Sequence, residues 1–340
     1  MKENTSTVNY NMGYTIADAT LTAVSVIPNF ICLFHIYSMM KREKVIKYYL
    51  YFSLVITTCI TSTVGNPMYL ITKTVGLPNM LSSIRANYNL CTFLLGTYLC
   101  SNSVLPLTLV CLSLEQLYAV YYPNKAYRRS AQKTCLMAGV YLCVSWAIGA
   151  FNGWYLLILP NHSFLNKGKT DRCFFEEVLY NEMLMVYLCC NFYLPLALLL
   201  TSHCLLYSRL GVMETISGAG SAQNHNNNYD ASSSTVQINL NMSVSTRYQY
   251  RSSMNSLLVL SSFCLLSWTP LMVIRTAEIF DNTFQEGIPG TVLNATVILW
   301  HSSTLFNPLY ILFKEYRSGN FRPALPRKLN QRHEEHESTA

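Results

Sequence analysis

The chain has 340 residues, of which 51% are hydrophobic and only 12% are charged. An average soluble domain carries about 25% charged residues, so this composition excludes an ordinary soluble globular protein. The formal net charge of +7 would suit either nucleic acid or an anionic membrane surface. Because the basic residues flank apolar segments, we expect membrane lipid as a partner and no nucleic acid.

Seven apolar runs follow a polar N-terminal segment, residues 1–14, which has no cleavable signal pattern. Each run is long enough to cross the bilayer as a helix, which needs about 20 mostly apolar residues. The sequence therefore predicts an all-α membrane protein, with a membrane domain of seven transmembrane helices over residues 15–313. The runs lie near 15–39, 48–72, 89–121, 134–158, 179–208, 253–277 and 290–313.

Basic residues in the short loops predict the orientation, because cytoplasmic loops carry an excess of lysine and arginine. They cluster after the first, third and seventh runs, so we expect a plasma-membrane protein with an extracellular N-terminus and a cytoplasmic C-terminus. Sequons at Asn4 and Asn161 then lie outside the cell, where they are candidates for glycosylation. The clustered residues are Lys41, Arg42, Lys44 and Lys47, then Lys125, Arg128, Arg129 and Lys133, then Lys314, Arg317 and Arg322.

Two polar segments are predicted to be disordered, because they hold too few apolar residues to build a core. Residues 210–249 are rich in Asn, Ser, Gly and Gln and should form a flexible inner loop between the fifth and sixth helices. Residues 325–340 should form a disordered cytoplasmic tail. Between the last run and this tail, residues 314–324 suit a short amphipathic helix lying on the inner leaflet.

Each of the seven runs carries a landmark residue or motif. In chain order these are Asn29, Pro67, Cys91 with Glu115-Gln116-Leu117-Tyr118, Trp146, Pro195, Trp268-Thr269-Pro270 and Asn307-Pro308-Leu309-Tyr310. This set, in this order, resembles the rhodopsin-like G-protein-coupled receptors across nearly the whole chain. A single match to the helix-seven motif would be weak, whereas seven ordered landmarks on seven spans are specific.

The resemblance implies a seven-helix bundle with a short eighth helix at residues 314–324. It also implies a disulfide bond between Cys91, at the outer end of the third helix, and Cys173, in the second outer loop. Prolines within the fifth, sixth and seventh helices are implied to act as kinks, since proline removes a backbone hydrogen bond. Pro106, in the third helix, has no counterpart in the usual family pattern.

Two stretches look most like opsins, 151–154 and 301–308. In opsins, the residue seven before the helix-seven proline is the lysine that binds retinal as a Schiff base. That residue is His301 here, and imidazole cannot form the imine. We therefore expect no covalently bound retinal and no other cofactor, and Leu94 stands at the usual counter-ion position.

His301 is the one ionisable side chain of its predicted span. Buried histidines in membrane helices are functional candidates, and they also serve as hydrogen-bonding contacts between helices. A ligand contact and a packing contact therefore remain equal alternatives. For the aromatic candidates, packing inside the bundle is at least as good an explanation. The predicted pocket residues are Tyr98, Trp268, Trp300 and His301.

The inner-side motifs depart from the family pattern. Glu115-Gln116-Leu117 stands where acid-Arg-Tyr is usual, so the arginine that contacts the G protein is a neutral glutamine. The usual tyrosines of helices five and seven are His203 and Ile311, and Tyr310 stands one position early. We expect weak or absent G-protein coupling, although a hydrogen bond between His203 and Gln116 would compensate in part. The resemblance assigns conformational switching and coupling to Glu115, Gln116, His203, Pro270, Asn307, Pro308 and Tyr310.

In the family, an aspartate of helix two holds a sodium ion together with a partner on helix three. This chain has Thr58 at the first position and Leu105 at the second. Neither residue can replace a carboxylate as a cation ligand. Asn29 and Asn307 remain, so a polar core without the ion is expected.

The function predicted from these features is a receptor for an unknown small ligand, either extracellular or lipophilic, with a heterotrimeric G protein or arrestin as candidate partner. An amine- or peptide-type receptor of the same superfamily is an alternative. A transporter is less favoured, because we find no inverted repeats, broken helices or paired charges within the spans. An enzyme is not expected, because His35, His203 and His301 fall on three different helices without an intramembrane carboxylate at metal-ligand spacing.

Overall fold

The computed structural model describes residues 12–74, 84–122, 125–126, 129–155, 181–223, 244–281 and 288–318. Within these ranges the chain forms seven long helices, which we number α1 to α7. Helices α1, α3, α6 and α7 are uninterrupted, whereas α2, α4 and α5 each contain one π-helical turn. The helices are α1 (Met12–Glu43), α2 (Ile46–Ile60, Thr61–Gly65 and Asn66–Thr74), α3 (Ile84–Tyr121), α4 (Ala131–Ala150 and Phe151–Tyr155), α5 (Asn181–Leu188, Cys189–Tyr193 and Leu194–Gln223), α6 (Val244–Phe280) and α7 (Gly290–Arg317).

The all-α prediction is confirmed, since every regular element in the described ranges is a helix. Helices α1 to α6 each contain a stretch that is long and apolar enough to cross a membrane. Helix α7 is also long, at 28 residues, and carries polar residues such as Asn294, His301 and Asn307 along its length. We call the end of the bundle that carries the basic loops the inner end, and the opposite end the outer end, after the predicted orientation.

The structure differs from the prediction at the inner ends of α5 and α6. Helix α5 continues to Gln223 and α6 begins at Val244, so both flanks of the predicted flexible loop 210–249 are helical. Good helix formers such as Leu210, Met213 and Glu214 extend α5 once its first turns are fixed, because adding a residue to an existing helix is far easier than starting one. Residues 224–243 lie outside the described part of the chain.

Two of the π-helical turns directly precede a proline. The Asn66 N–H donates to the carbonyl of Thr61, before Pro67, and the Leu194 N–H donates to the carbonyl of Cys189, before Pro195. A proline ring clashes with the carbonyl four residues earlier and lacks the N–H that would bind it. A widened turn accommodates the ring, so the predicted kink of the fifth helix takes the form of a π turn.

Helix α3 is the centre of the bundle and packs against α2, α4, α5 and α6, while α7 packs against α1 and α6. Glycines allow α3 and α4 to approach closely: a Cβ atom on Gly153 would collide with the carbonyl oxygen of Gly96. Small residues are the usual means of close helix packing in membranes. The opposite side of α4 exposes Leu136, Val140, Val144 and Ile148 at four-residue spacing, as a lipid-facing surface requires.

Candidate functional site

The four predicted pocket residues lie together near the centre of the bundle. Tyr98 of α3 and Trp268 of α6 both contact Trp300 of α7, with ring centroids 5.5 Å and 6.2 Å apart. Trp300 in turn contacts the imidazole of His301 at 5.6 Å. All four side chains are buried, and the Trp268 indole N–H donates to Ser303 Oγ at 3.3 Å. Three helices therefore meet in one aromatic cluster, which includes Trp268 of the proline-containing helix α6.

His301 is held by a carboxylate that the sequence analysis missed. Its Nδ1 lies 2.7 Å from Oδ1 of Asp18 on α1, and both residues are at most 5% exposed. The Tyr69 ring of α2 packs edge-on against the imidazole, with centroids 5.3 Å apart. The spans therefore hold a buried pair of ionisable side chains where the sequence analysis found no paired charges. Asp18 stands inside the first predicted span, and an aspartate in such a run is itself a sign of an intramembrane partner.

A narrow cavity lies next to Trp268, between α3, α5 and α6. Pro106 of α3, Pro195 of α5 and Cys264 of α6 form part of its wall, and most of the remaining wall is apolar. The small side chain of Cys264 and the proline ring of Pro106 leave space that larger side chains would fill. This is the structural setting of Pro106, for which the sequence offered no account. The lining residues are Pro106, Leu109, Asn191, Phe192, Pro195, Leu196, Leu199, Cys264, Leu265 and Trp268.

The outer half of α6 carries a buried ion pair that the sequence analysis did not identify. Arg275 Nη1 lies 2.7 Å from Oε2 of Glu278, with the Arg275 side chain 4% exposed. Arg275 is seven residues after Trp268, so both side chains share one face of α6. Next to it, the hydroxyls of Tyr193 and Thr276 join α5 to α6 at 2.7 Å. The seven-residue spacing from Trp268 was the signal that would have placed Arg275 inside the bundle.

A hydrogen-bonded group joins α1, α2 and α7 further toward the inner end. Asn29 Nδ2 donates to the carbonyl oxygen of Thr304 at 2.8 Å, and Thr58 Oγ1 donates to Asn29 Oδ1 at 2.6 Å. The predicted polar core is present, with Thr58 contributing a hydroxyl where the family pattern has an aspartate. Asn307 is buried nearby on α7, and its side-chain amide has no hydrogen-bond partner among the described residues.

At the inner end of α3, Glu115 is paired with an arginine from outside its own motif. Arg129 Nη1 lies 2.8 Å from Glu115 Oε1, and the same guanidinium lies over the ring of Tyr118. Arg129 directly precedes the N-cap of α4, Ser130. The acidic residue of the family motif is therefore neutralised although the adjacent position, Gln116, carries no charge.

Two hydrogen bonds hold the inner half of α6 against its neighbours. Gln116 Nε2 of α3 donates to Ser253 Oγ at 2.8 Å, and His203 Nε2 of α5 lies 2.8 Å from Ser261 Oγ. The hydrogen bond between His203 and Gln116 that would have compensated for the missing arginine is therefore not formed. Ser253 and Ser261 are eight residues apart, about 12 Å along α6, so their partners lie at different depths in the bundle and cannot reach each other.

The inner half of α7 places the two positions after Pro308 in different surroundings. Ile311 is buried in the core, whereas Tyr310 is half-buried and stacks on Phe306 with ring centroids 5.8 Å apart. Phe306 also stacks on Phe263 of α6 at 3.7 Å. Successive residues of a helix differ by about 100° in direction, so Tyr310 does not take the place of a tyrosine at Ile311.

The profile of the family described as 7 transmembrane receptor (rhodopsin family) matches residues 28–310. The chain belongs to this family. A comparison with curated proteins gave no match. Members of this family are multi-pass membrane receptors that in general bind ligands and G proteins. Membership in the family favours a receptor over a transporter, even though the spans contain the Asp18–His301 pair.

Several predictions for this rhodopsin-family receptor fall outside the described residues. Cys91 lies on α3, but its side chain and the whole of Cys173 are outside the described part, and so are the sequons at Asn4 and Asn161. Residues 314–317 form the last turn of α7, while residues 319–324 are also outside. The disulfide, the glycosylation sites and the separate eighth helix stay predictions.

Proposed function

We propose that this protein is an atypical rhodopsin-family receptor of the plasma membrane, opsin-like but without covalent retinal, that senses a small ligand and couples weakly to G proteins. The N-terminus lies outside the cell and the C-terminus inside. The observation that carries the proposal is the buried cluster of Tyr98, Trp268, Trp300 and His301. A ligand that separated these side chains would act directly on α6 and α7.

The pocket chemistry favours non-covalent binding. The predicted span of α7, residues 290–313, contains no lysine, and the Nδ1 atom of His301 is occupied by Asp18. The aromatic rings around His301 offer a large apolar surface, which suits a lipophilic or partly aromatic molecule. The Cys91–Cys173 bond that the family resemblance implies would cover this pocket from the outside.

Weak coupling is supported by the residues that surround the G-protein site of the family. The glutamine at Gln116 has no charge and is engaged with Ser253 of α6, while His203 is engaged with Ser261. Both side chains therefore stabilise the described position of α6, and neither provides the charge or phenol that stabilises an outward position in the family. The proposal does not require Gln116 and His203 for arrestin recruitment. Arrestin recruitment is therefore the second signalling response to measure.

The ligand proposal is tested by a G-protein and arrestin recruitment screen with retinoids and small-molecule libraries, run on the native chain and on Trp300→Ala. A matched control is Leu299→Ala, because Leu299 is the neighbouring residue and its side chain is exposed. An active compound should lose potency at least tenfold with Trp300→Ala and keep it with Leu299→Ala. Equal losses in both variants would contradict a ligand site at the aromatic cluster.

The coupling proposal is tested by restoring the family residues with Gln116→Arg, His203→Tyr and Ile311→Tyr, singly and together, in a nucleotide-exchange assay. We expect the triple variant to drive exchange several-fold faster than the native chain. Leu205→Tyr, on the exposed side of α5, controls for the added tyrosine. If the native chain drives exchange as fast as the triple variant, weak coupling is wrong.

A further inference from the structure

The carboxylate of Glu115 and the guanidinium of Arg129 form a largely buried ion pair at the inner end of the bundle. Their side chains are 13% and 8% exposed, and Arg129 Nη1 lies 2.8 Å from Glu115 Oε1. The guanidinium also lies over the Tyr118 ring, 4.9 Å from its centroid. Removing one partner of such a pair leaves the other charge buried alone, which is strongly destabilising. The pair therefore firmly connects the inner end of α3 to the residue before the N-cap of α4.

Glu115 and its neighbour Gln116 connect α3 to different helices. Successive residues of a helix differ by about 100° in direction, so the two side chains leave α3 on different sides. Gln116 Nε2 donates to Ser253 Oγ of α6 at 2.8 Å, whereas Glu115 is bound by Arg129 at the start of α4. The two connections share no side chain, so either can break while the other holds.

An arginine at position 116 would disturb this separation. Arg42 Nε and Glu43 Oε1, on adjacent residues of α1, lie 3.0 Å apart, so neighbouring arginine and glutamate side chains on a helix can reach each other. A guanidinium at position 116 would therefore compete with Arg129 for Glu115. In the native chain Arg129 binds the acid without a competitor, and the neutral side chain at position 116 binds α6.

We propose that Arg129 is a positioning residue of the coupling site, which holds Glu115 in place of the arginine that is missing from position 116. The inference rests on the proposed function, because it assigns the off-state role of the missing arginine to a residue outside the motif. It follows that α6 can move away from Gln116 while Glu115 stays paired. It also follows that an arginine introduced by Gln116→Arg finds its acid already occupied.

The first experiment is a set of double-mutant cycles, read as the thermal denaturation midpoint of the purified full-length receptor in lipid nanodiscs. Arg129→Gln should lower the midpoint of the native chain by several degrees. It should lower it much less after Glu115→Gln, because no buried carboxylate is then left alone. It should also lower it less after Gln116→Arg, because the introduced arginine takes over Glu115. The same loss in all three backgrounds would overturn the proposal.

Two further variants keep these cycles interpretable. Lys133→Gln removes an exposed charge in the first turn of α4, so it is the matched control for loss of a cation and should leave the midpoint unchanged. Arg129→Lys keeps a cation that can reach Glu115 and serves if Arg129→Gln does not fold. Its smaller loss of midpoint should likewise shrink after Glu115→Gln, and a loss that does not shrink would contradict the proposal.

The second experiment measures basal nucleotide exchange with Gln116→Arg, alone and together with Arg129→Gln. With Arg129 in place, the introduced arginine is not held by Glu115, so exchange should exceed that of the native chain. Adding Arg129→Gln lets Glu115 capture the introduced arginine, and basal exchange should fall several-fold. An equal or higher rate in the double variant would contradict the role of Arg129. If no variant drives exchange while the thermal cycles come out as expected, the coupling part of the proposed function fails and the assignment of Arg129 stands.

Discussion

Removing the two serines that hold the inner half of α6 should shift the receptor toward an open conformation. Ser253 accepts a hydrogen bond from Gln116, and Ser261 is bonded to His203. Each partner is on a different helix, so Ser253→Ala and Ser261→Ala remove independent contacts. If α6 moves away from both α3 and α5, the two bonds break, so the substitutions should destabilise the described position of α6 relative to an open one.

The size of the shift follows from the kind of bond. Neutral hydrogen bonds of this type contribute about 0.5–1.5 kcal/mol each, so the two together stabilise the closed state by roughly 2 kcal/mol. Since about 1.4 kcal/mol corresponds to a factor of ten, the double variant should raise the ratio of open to closed receptor about 30-fold. Each single variant should raise it about fivefold, and their effects should multiply because the sites are about 12 Å apart.

The measurement is a spin-label distance between the inner ends of α3 and α6, with labels on noncanonical amino acids at the exposed positions Tyr122 and Asn255. The long-distance population should grow in the order native, single variants, double variant. Ser208→Ala is the matched control, because Ser208 is exposed on α5 and, among the described residues, bonds to its own helix at the Leu205 carbonyl. A double variant with the native distance distribution would refute the view that these bonds hold α6 closed.

Three further predictions concern the outer half of the receptor. Asp18→Ala should lower the thermal midpoint by several degrees, because it leaves His301 buried without its partner at a cost of about 1–3 kcal/mol. Adding His301→Phe should recover much of the loss. If the losses of the two single variants simply add in the double variant, the two residues are not coupled. Cys91→Ser should reduce surface expression, and mass spectrometry of folded protein should find Cys91 linked to Cys173 rather than two free thiols. Incubation of the native chain with retinal should give no acid-trappable adduct, whereas His301→Lys should form an imine that absorbs in the near ultraviolet. A chromophore on the native chain that survives denaturation would contradict the absence of covalent retinal.

The proximity of the candidate pocket residues was predictable because each lies near a landmark on its own helix, whereas their binding of a ligand stays a prediction. Trp300 and His301 precede Pro308 by eight and seven residues, and Trp268 precedes Pro270 by two. Helix geometry then gives their depths once the family resemblance aligns the two helices. Asp18 was missed because no landmark lies near it and because its partner is 283 residues away. A long-range pair of this kind depends on the packing angle and register between α1 and α7, which the hydrophobic pattern of the sequence does not specify.

The inner side shows the same limit for contacts between helices. The sequence indicated correctly that Gln116 and His203 differ from the family pattern, but it could not indicate that both bind serines of α6. Serine is small and common in membrane helices, so Ser253 and Ser261 carry no signal of their own. Similarly, Pro195 predicted a kink in the fifth helix, while the π turns that precede Pro67 and Pro195 depend on how the neighbouring helices re-satisfy the backbone.

The close approach of α3 and α4 sets how this chain can change over generations. At Gly153 even a single methyl group meets the backbone of α3, whereas Gly139, on the same helix, has open space around it. The first position is therefore closed to every other amino acid, and the second accepts any residue that lipid tolerates. Within one helix of this receptor, the two glycines should therefore tolerate substitution very differently, with replacement blocked on the α3 face of α4 and accommodated at Gly139.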